Sequence, residues 1–410
     1  MDQPKSPTAI AVPEGRARVL LLGAVISMTA VSHASQQLFL PAVPVIAEEF
    51  GISLGLTQVA TTVSMVCMAV AMLFYGPLSD KFGRKPVMFA GAAGFLTGSL
   101  IAASATSIEM LLLGRLLQAV GGAAGFVVGR AIVRDLYGAE RSAGVLGTMT
   151  MVIVAAPMAA VVIGGALTDY VGWRAVFVLT LALGLGSTLL LWRFVPSGLR
   201  GTLASPSVGT LVRGYGRLLR SPLFIGFAGQ GAVSVGSFMA FMGVAPYLMH
   251  EVLRRPAIEF GVYFALVTVV FMLSNFAGGR LSRHVGIERM VAFGGLVATL
   301  GTFAGMTWFG IAGLGIAVLF LTSTVASIGN GLSMPNNQAG ALNVIPELAG
   351  TASGGAAFLQ TLSGAIFIQI AAILTSDSGW PLFAAMLTAS TLSFVFGMIP
   401  FLLRGRQPRA

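Results

Sequence analysis

Arg115 is the side chain whose chemistry constrains this sequence most. Its guanidinium stays charged at physiological pH, yet it lies inside an apolar run near 109–130, where an unpaired cation is costly. Either it serves a hydrated pathway through the interior, or it snorkels to the nearer interface. Gln118 stands three residues further along the same run. A proton-exchanging site in such a setting usually contains a buried carboxylate. None of the 14 acidic residues falls in the middle of an apolar run. His33 is the remaining titratable candidate, since an imidazole titrates near neutrality, and Gln37 follows one turn later on a similar face. A lone histidine of this kind is also a common hydrogen-bonding residue between helices. The sequence offers no paired interior acids, no histidine cluster for a metal and no nucleophile with a base, and it lacks a Walker-type nucleotide loop. These absences argue against an enzyme, a metal centre or a cofactor.

The elements that must position these residues follow from composition. Of 410 residues, 56% are hydrophobic and 9% charged, far from the roughly 25% charged of a soluble domain. Apolar runs fall near 18–42, 54–78, 86–105, 109–130, 142–168, 174–195, 222–248, 259–280, 289–307, 312–334, 347–373 and 381–403. Each is long enough to cross a bilayer as a helix, which satisfies every backbone polar group internally. The expected fold is therefore all-α, twelve transmembrane helices in two six-helix bundles. The 53 glycines serve close helix packing in lipid. Trp173, Trp192, Trp308 and Trp380 stand at run ends and are expected at the headgroup level.

The net charge of +10 does not point to nucleic acid, because no extended basic patch is visible. With a cytoplasmic amino terminus, 20 of the 24 Lys and Arg fall on one side, and Arg115, Arg174, Arg254 and Arg255 fall toward the other. This positive-inside bias predicts both termini in the cytoplasm. The first run, basic at its flank, reads as an uncleaved helix. Cys67 is the single cysteine, so no internal disulfide forms. The expected layout is a tail over 1–17, a bundle over 18–195, a cytoplasmic linker over 196–221, a bundle over 222–403 and a tail over 404–410. The linker is the longest polar interval.

Two halves of this layout suggest an internal duplication. After the second run stand Gly76, Asp80, Gly83, Arg84 and Lys85 in the pattern G-x-x-x-D-x-x-G-R-K; after the eighth, Gly279, Arg283 and Gly286 keep the glycines and lose the aspartate. The first loop resembles the signature loop of the major facilitator superfamily. Leu38 to Pro44, Arg115 to Gly121, Arg130 with Arg134 and Asp135, and Gly172 to Arg174 with Phe177 further resemble the Bcr/CflA group of drug:proton antiporters. The likeness covers most of the first half and, through Ala349 to Ser353, part of the second.

What the resemblance implies is a secondary transporter, a monomer, in the bacterial inner membrane. It implies that Asp80, with Arg84, Lys85, Arg134 and Asp135, forms a latch against the start of the eleventh helix near Gly350. The alternative is a solvated, topology-setting charge cluster. It also implies a role for Arg115 in proton coupling or substrate response. Two departures weigh against antiport. Related antiporters commonly carry an acid four residues before the proline matched by Pro41, where this chain has Gln37. Their fifth helix ends G-P-x-x-G-G, whereas this chain keeps Gly147, Gly164 and Gly165, places Ala160 and Val161 where Gly-Pro is expected, and has Pro157 a turn earlier.

Candidate pathway residues are Phe238 and Phe241 on the seventh helix, Asn330 on the tenth and Gln360 on the eleventh, with Gln230, Ser234 and Asn275 as further polar groups. Interhelical hydrogen bonding is an equal reading of the polar ones. As a set they fit a neutral or weakly amphipathic small molecule. The expected function is drug-type export by alternating access with the proton as counter-ion; the alternative is a facilitator or importer of a small metabolite. The partners expected are the small-molecule substrate, the proton and the lipid bilayer.

Overall fold

The computed structural model describes residues 16–195, 208–375 and 378–404; the side chains of residues 16–18, 134, 136–158, 208–212, 346, 349 and 350 are not described. The helices are α1 (Arg16–Phe39), α2 (Val43–Phe50), α3 (Leu54–Phe82), α4 (Arg84–Ala103), α5 (Ile108–Tyr170), α6 (Arg174–Phe194), α7 (Val208–Leu219), α8 (Pro222–Tyr247), α9 (Ala257–Val285), α10 (Ile287–Ala312), α11 (Ile316–Leu342), α12 (Ala349–Leu374) and α13 (Trp380–Arg404). Helix starts follow from local chemistry. Ser53, Ser107 and Ser221 each cap a free amide three residues on, at 3.3, 3.4 and 3.4 Å.

Among the described residues, eleven segments are long and apolar enough to cross a membrane, and Ala159–Tyr170 is a shorter apolar helix. That shorter helix is the described part of the expected span 142–168. Both described ends of α5 lie beside the same end of α1: Arg115 bonds to Gln36, and Gly164 packs on the Leu38 carbonyl. The first crossing is longer than its apolar run, because α2 continues it past Pro41 and Pro44 to Phe50.

Two bundles form. In the first, α1 packs on α5 and α6, and α4 and α3 pack on α5; in the second, α8 packs on α12, α13 and α11, and α10 on α11 and α13. The two halves share a backbone feature. Gly83, between α3 and α4, has φ 96° and ψ 150°; Gly286, between α9 and α10, has φ 101° and ψ 150°. Side chains other than glycine rarely adopt this conformation, so both turns need their glycine. The seams correspond too. A Cβ at Gly98 of α4 would stand 2.5 Å from the Gly114 carbonyl of α5, and one at Gly294 of α10 would stand 2.5 Å from the Gly329 carbonyl of α11. Glycine lets these backbones touch.

One expectation is corrected. Trp173 is 2% exposed and lies inside the first bundle. Its indole N–H donates to Glu49 Oε2 at 2.6 Å, and its ring packs edge-on to Phe50 and Phe177. A carboxylate shared with Arg174 thus satisfies the polar edge that would otherwise seek the headgroup layer. The described part of the linker carries a helix: α7 buries Leu218 against α8, and Gly214 and Tyr215 meet the start of α12 at Thr351 and Gly354.

The halves join chiefly at the end that holds α2. Thr62 donates to Gln369 Oε1 at 2.8 Å, and Gln369 Nε2 donates to the Gly55 carbonyl at 2.9 Å. The Asp169 carboxylate, at the end of α5, accepts the Ala257 and Ile258 amides at 3.0 and 2.7 Å. These are the first free amides of α9, so a carboxylate of one half caps a helix of the other. Toward the opposite end, a cavity of about 280 Å³ separates Leu73 of α3 from Tyr215 and Leu219 of α7.

Candidate functional site

A mostly apolar cavity of about 240 Å³ lies where the halves face one another. Helix α8 presents Gly231, Ser234, Val235, Phe238 and Met239 at the spacing of one helical face; α9 adds Phe264, Thr268 and Phe271, and α11 adds Ser327, Asn330 and Met334. Gln37 of α1 is the lining residue contributed by the first half. The lining is uncharged. Its polar atoms come from one amide on each half and three hydroxyls, an arrangement suited to orienting a mostly apolar molecule by a few hydrogen bonds. The Gln37 Oε1 atom is buried without a protein partner and is available to such a ligand.

Phe238 stands in the wall, its ring 5.8 Å from that of Phe264. Phe241, one turn on, turns away: it is fully buried, 5.7 Å from Phe320 and 6.3 Å from Phe260 in the packed interior. Gln360 borders the site, its Nε2 3.0 Å from where a Gly231 Cβ would stand. Gln230 and Ser234 belong to a polar knot. Gln230 Nε2 lies 3.1, 2.9 and 3.0 Å from the hydroxyls of Ser234, Ser333 and Ser393, and Asn337 donates to its Oε1 at 2.5 Å. This knot ties α8, α11 and α13 together beneath the cavity wall.

His33 and Arg115 do not share that cavity. The Arg115 side chain is fully buried in the first bundle: Nη1 donates to Gln118 Oε1 at 2.6 Å, Nη2 donates to Gln36 Oε1, and the guanidinium lies 4.5 Å from the Phe39 ring centre. Gln118 passes the chain on, donating to Ser99 Oγ at 2.9 Å. The arrangement rules out snorkelling. Among the described residues no carboxylate forms an ion pair with Arg115, and its Nε has no partner. Neutral amides and an aromatic face carry the solvation of this cation.

Gln36 went unnoticed in the sequence because its neighbour Gln37 occupies the informative family position. Adjacent residues of a helix point about 100° apart, so one amide reaches the cavity and the other the arginine. The His33 Nδ1 donates to the Thr29 carbonyl, 3.2 Å away, and the ring lies 5.0 Å from Phe126, whose face Arg130 covers at 3.9 Å.

The charged loop after α3 forms a network within its own half. Arg84 Nη1 pairs with Asp80 at 2.5 Å and donates to Ser79 Oγ at 2.6 Å, while its Nε pairs with Asp135 at 2.8 Å. Lys85 closes the far end of α6, donating to the Val195 carbonyl at 2.6 Å. The Arg134 side chain, Gly147 and Pro157 lie outside the described residues. Gly164 and Gly165 are described: Gly164 sits against α1, and a Cβ at Gly165 would stand 2.6 Å from the Ala257 carbonyl across the halves.

Comparison with known proteins places this geometry in a family. Over 391 residues the chain is 27% identical to the multidrug resistance protein D of Escherichia coli K12, covering 94% of this chain and 96% of that one. It is 26% identical to a bicyclomycin resistance protein homologue of Haemophilus influenzae, over 88% and 91% of the two chains. A chloramphenicol resistance protein of Pseudomonas aeruginosa is 28% identical over 87% and 84%. Among solved structures, a bacterial homologue of the human lysosomal transporter Spinster superposes with a TM-score of 0.72 at 16% identity, covering 97% of this chain and 100% of that one. A POT family transporter superposes with a TM-score of 0.76 at 13% identity, over 95% and 96%. The family model of the Major Facilitator Superfamily matches residues 25–368, so the chain belongs to that superfamily, and it is a transporter rather than an enzyme.

Proposed function

We propose that this protein exports small, partly hydrophobic organic compounds by alternating access, in exchange for protons, from the cytoplasm of a bacterial cell. The observation that carries the proposal is the uncharged, mostly apolar cavity where the two halves face one another, with isolated amides and hydroxyls for orientation. The names of the relatives, which concern resistance to several drugs, to bicyclomycin and to chloramphenicol, support this substrate class. With both termini cytoplasmic, as the distribution of Lys and Arg favours, the end held by Asp169 and Gln369 faces outward. The conformation described is then closed to the outside.

In this scheme Arg115, Gln36, Gln118 and Ser99 form the polar core of the first half, and His33 is the proton carrier. Asp80, Arg84, Lys85 and Asp135 make the cytoplasmic latch, its Asp80–Arg84 pair held within one half here and available to the start of α12 when that end closes. The functional unit is a monomer.

The test is flux of chloramphenicol in proteoliposomes with and without an imposed pH gradient. Gradient-driven accumulation is expected, and its loss in His33→Gln is expected in correctly inserted protein. Coupling that persists in the variant removes the histidine from the mechanism. Flux that ignores the gradient leaves the second reading, a facilitator or importer of a small metabolite, which Gln37 favours by standing where related antiporters have an acid.

A further inference from the structure

At the closed end, three potential metal ligands from the two halves converge. Glu48 lies on α2 of the first half; His250 and Glu251 lie on the π-helical turn Leu248–Val252 that ends the first crossing of the second half. One ligand atom from each comes within 4.8 Å of the other two. The halves are packed here: Tyr247, next to the turn, lies against the cluster of Val43, Ile46 and Trp173. The cluster is therefore part of a closed joint between bodies that must separate for the outward end to open. We propose that Glu48, His250 and Glu251 form a divalent-cation site of the zinc class that bridges the halves and, when filled, holds this end shut.

The donor set suits that chemistry. An imidazole nitrogen and two carboxylates are a borderline set that zinc accepts, leaving a fourth tetrahedral position for water. In a tetrahedral zinc site with bonds of about 2.0–2.1 Å, donor atoms stand about 3.3 Å apart. His250 Nδ1 and Glu251 Oε1 are already 3.0 Å apart, and the ligand atoms of all three residues lie within 4.8 Å of one another, so a modest contraction completes the site. The accessibility is right for exchange with solvent, since the side chains of His250 and Glu251 are 28% and 27% exposed and Glu48 is exposed. Arg254 is the natural competitor. Its Nη1 lies 3.5 Å from the other Glu251 oxygen, and a cation bound to Glu251 must share that carboxylate or displace the guanidinium. A ligand that binds one conformation better than another shifts the population toward it.

The experiment is zinc titration of the purified, tag-free full chain by calorimetry, in a His284→Gln background that removes the remaining exposed imidazole. One saturable site per chain is expected, with affinity at least tenfold weaker in each of Glu48→Gln, His250→Gln and Glu251→Gln, and stronger in Arg254→Gln. Glu48→His, which restores a donor, is expected to recover binding and guards against misfolding as the cause. In proteoliposomes, zinc added on the Glu48 side is expected to slow transport of the unmodified chain and not of Glu48→Gln. Absence of a saturable site, or equal affinity in all variants, overturns the proposal. Loss in His250→Gln and Glu251→Gln with full retention in Glu48→Gln overturns the bridge between halves. Because binding is read without transport, neither result depends on the proposed direction or coupling.

Discussion

At the scale of single residues, the two neighbouring amides of α1 divide the work. Gln37 faces the cavity with an unpartnered oxygen, so Gln37→Glu places a carboxylate beside the substrate. Affinity for a cationic substrate should rise about tenfold, close to 1.4 kcal/mol, and the gain should vanish as pH falls and the carboxylate protonates; binding measured across pH checks both. Gln36 instead completes the solvation of Arg115. Arg115→Ala should abolish transport in inserted protein by stranding the buried amide of Gln118 and the half-buried amide of Gln36. Arg115→Lys should not rescue it, because a single ammonium lacks the planar fork that serves Gln36 and Gln118 together. Radiolabelled substrate flux, read beside a thermal unfolding curve, separates lost function from lost fold. The importance of Arg115 was legible in the sequence because an interior cation is costly wherever it points. Its partners were not, since periodicity gives relative faces but no absolute phase.

At the scale of elements, the glycine seams fix how closely helices approach. Gly121→Val would drive a side chain into the α4 backbone at Gly91 and Phe95, and it should destabilise the protein by about 1–3 kcal/mol. Gly186→Ala meets nothing within 4 Å and should leave the melting temperature unchanged or slightly raised. Thermal denaturation in one detergent compares the two. The spans themselves were legible because bilayer thickness dictates run length, and the paired turns at Gly83 and Gly286 because only glycine adopts their backbone. Helix α7 was not, for its arginines and glycines look like a connecting loop until Leu218 is seen against α8. Nor was the interior place of Trp173, which depends on Glu49 more than a hundred residues away in sequence.

At the scale of the whole molecule, the closed end is held by few polar contacts, and Asp169 makes two of them across the halves. Asp169→Ala removes a charge from the start of α9 and should favour opening of that end by about 1–2 kcal/mol, roughly five- to thirtyfold in population. Alkylation of a cysteine introduced at Ser327 in a Cys67→Ala background, with an impermeant reagent on that face, should quicken accordingly. A rate equal to that of the parent would show the contact to be incidental. The cavity has a wider consequence. All its lining residues but Gln37 belong to the second bundle, while the buried arginine belongs to the first. On the function proposed above, the second bundle is the reader of cargo and the first the engine, and a chimera joining this second bundle to a relative's first should inherit the cargo preference of this protein and the energetics of the relative.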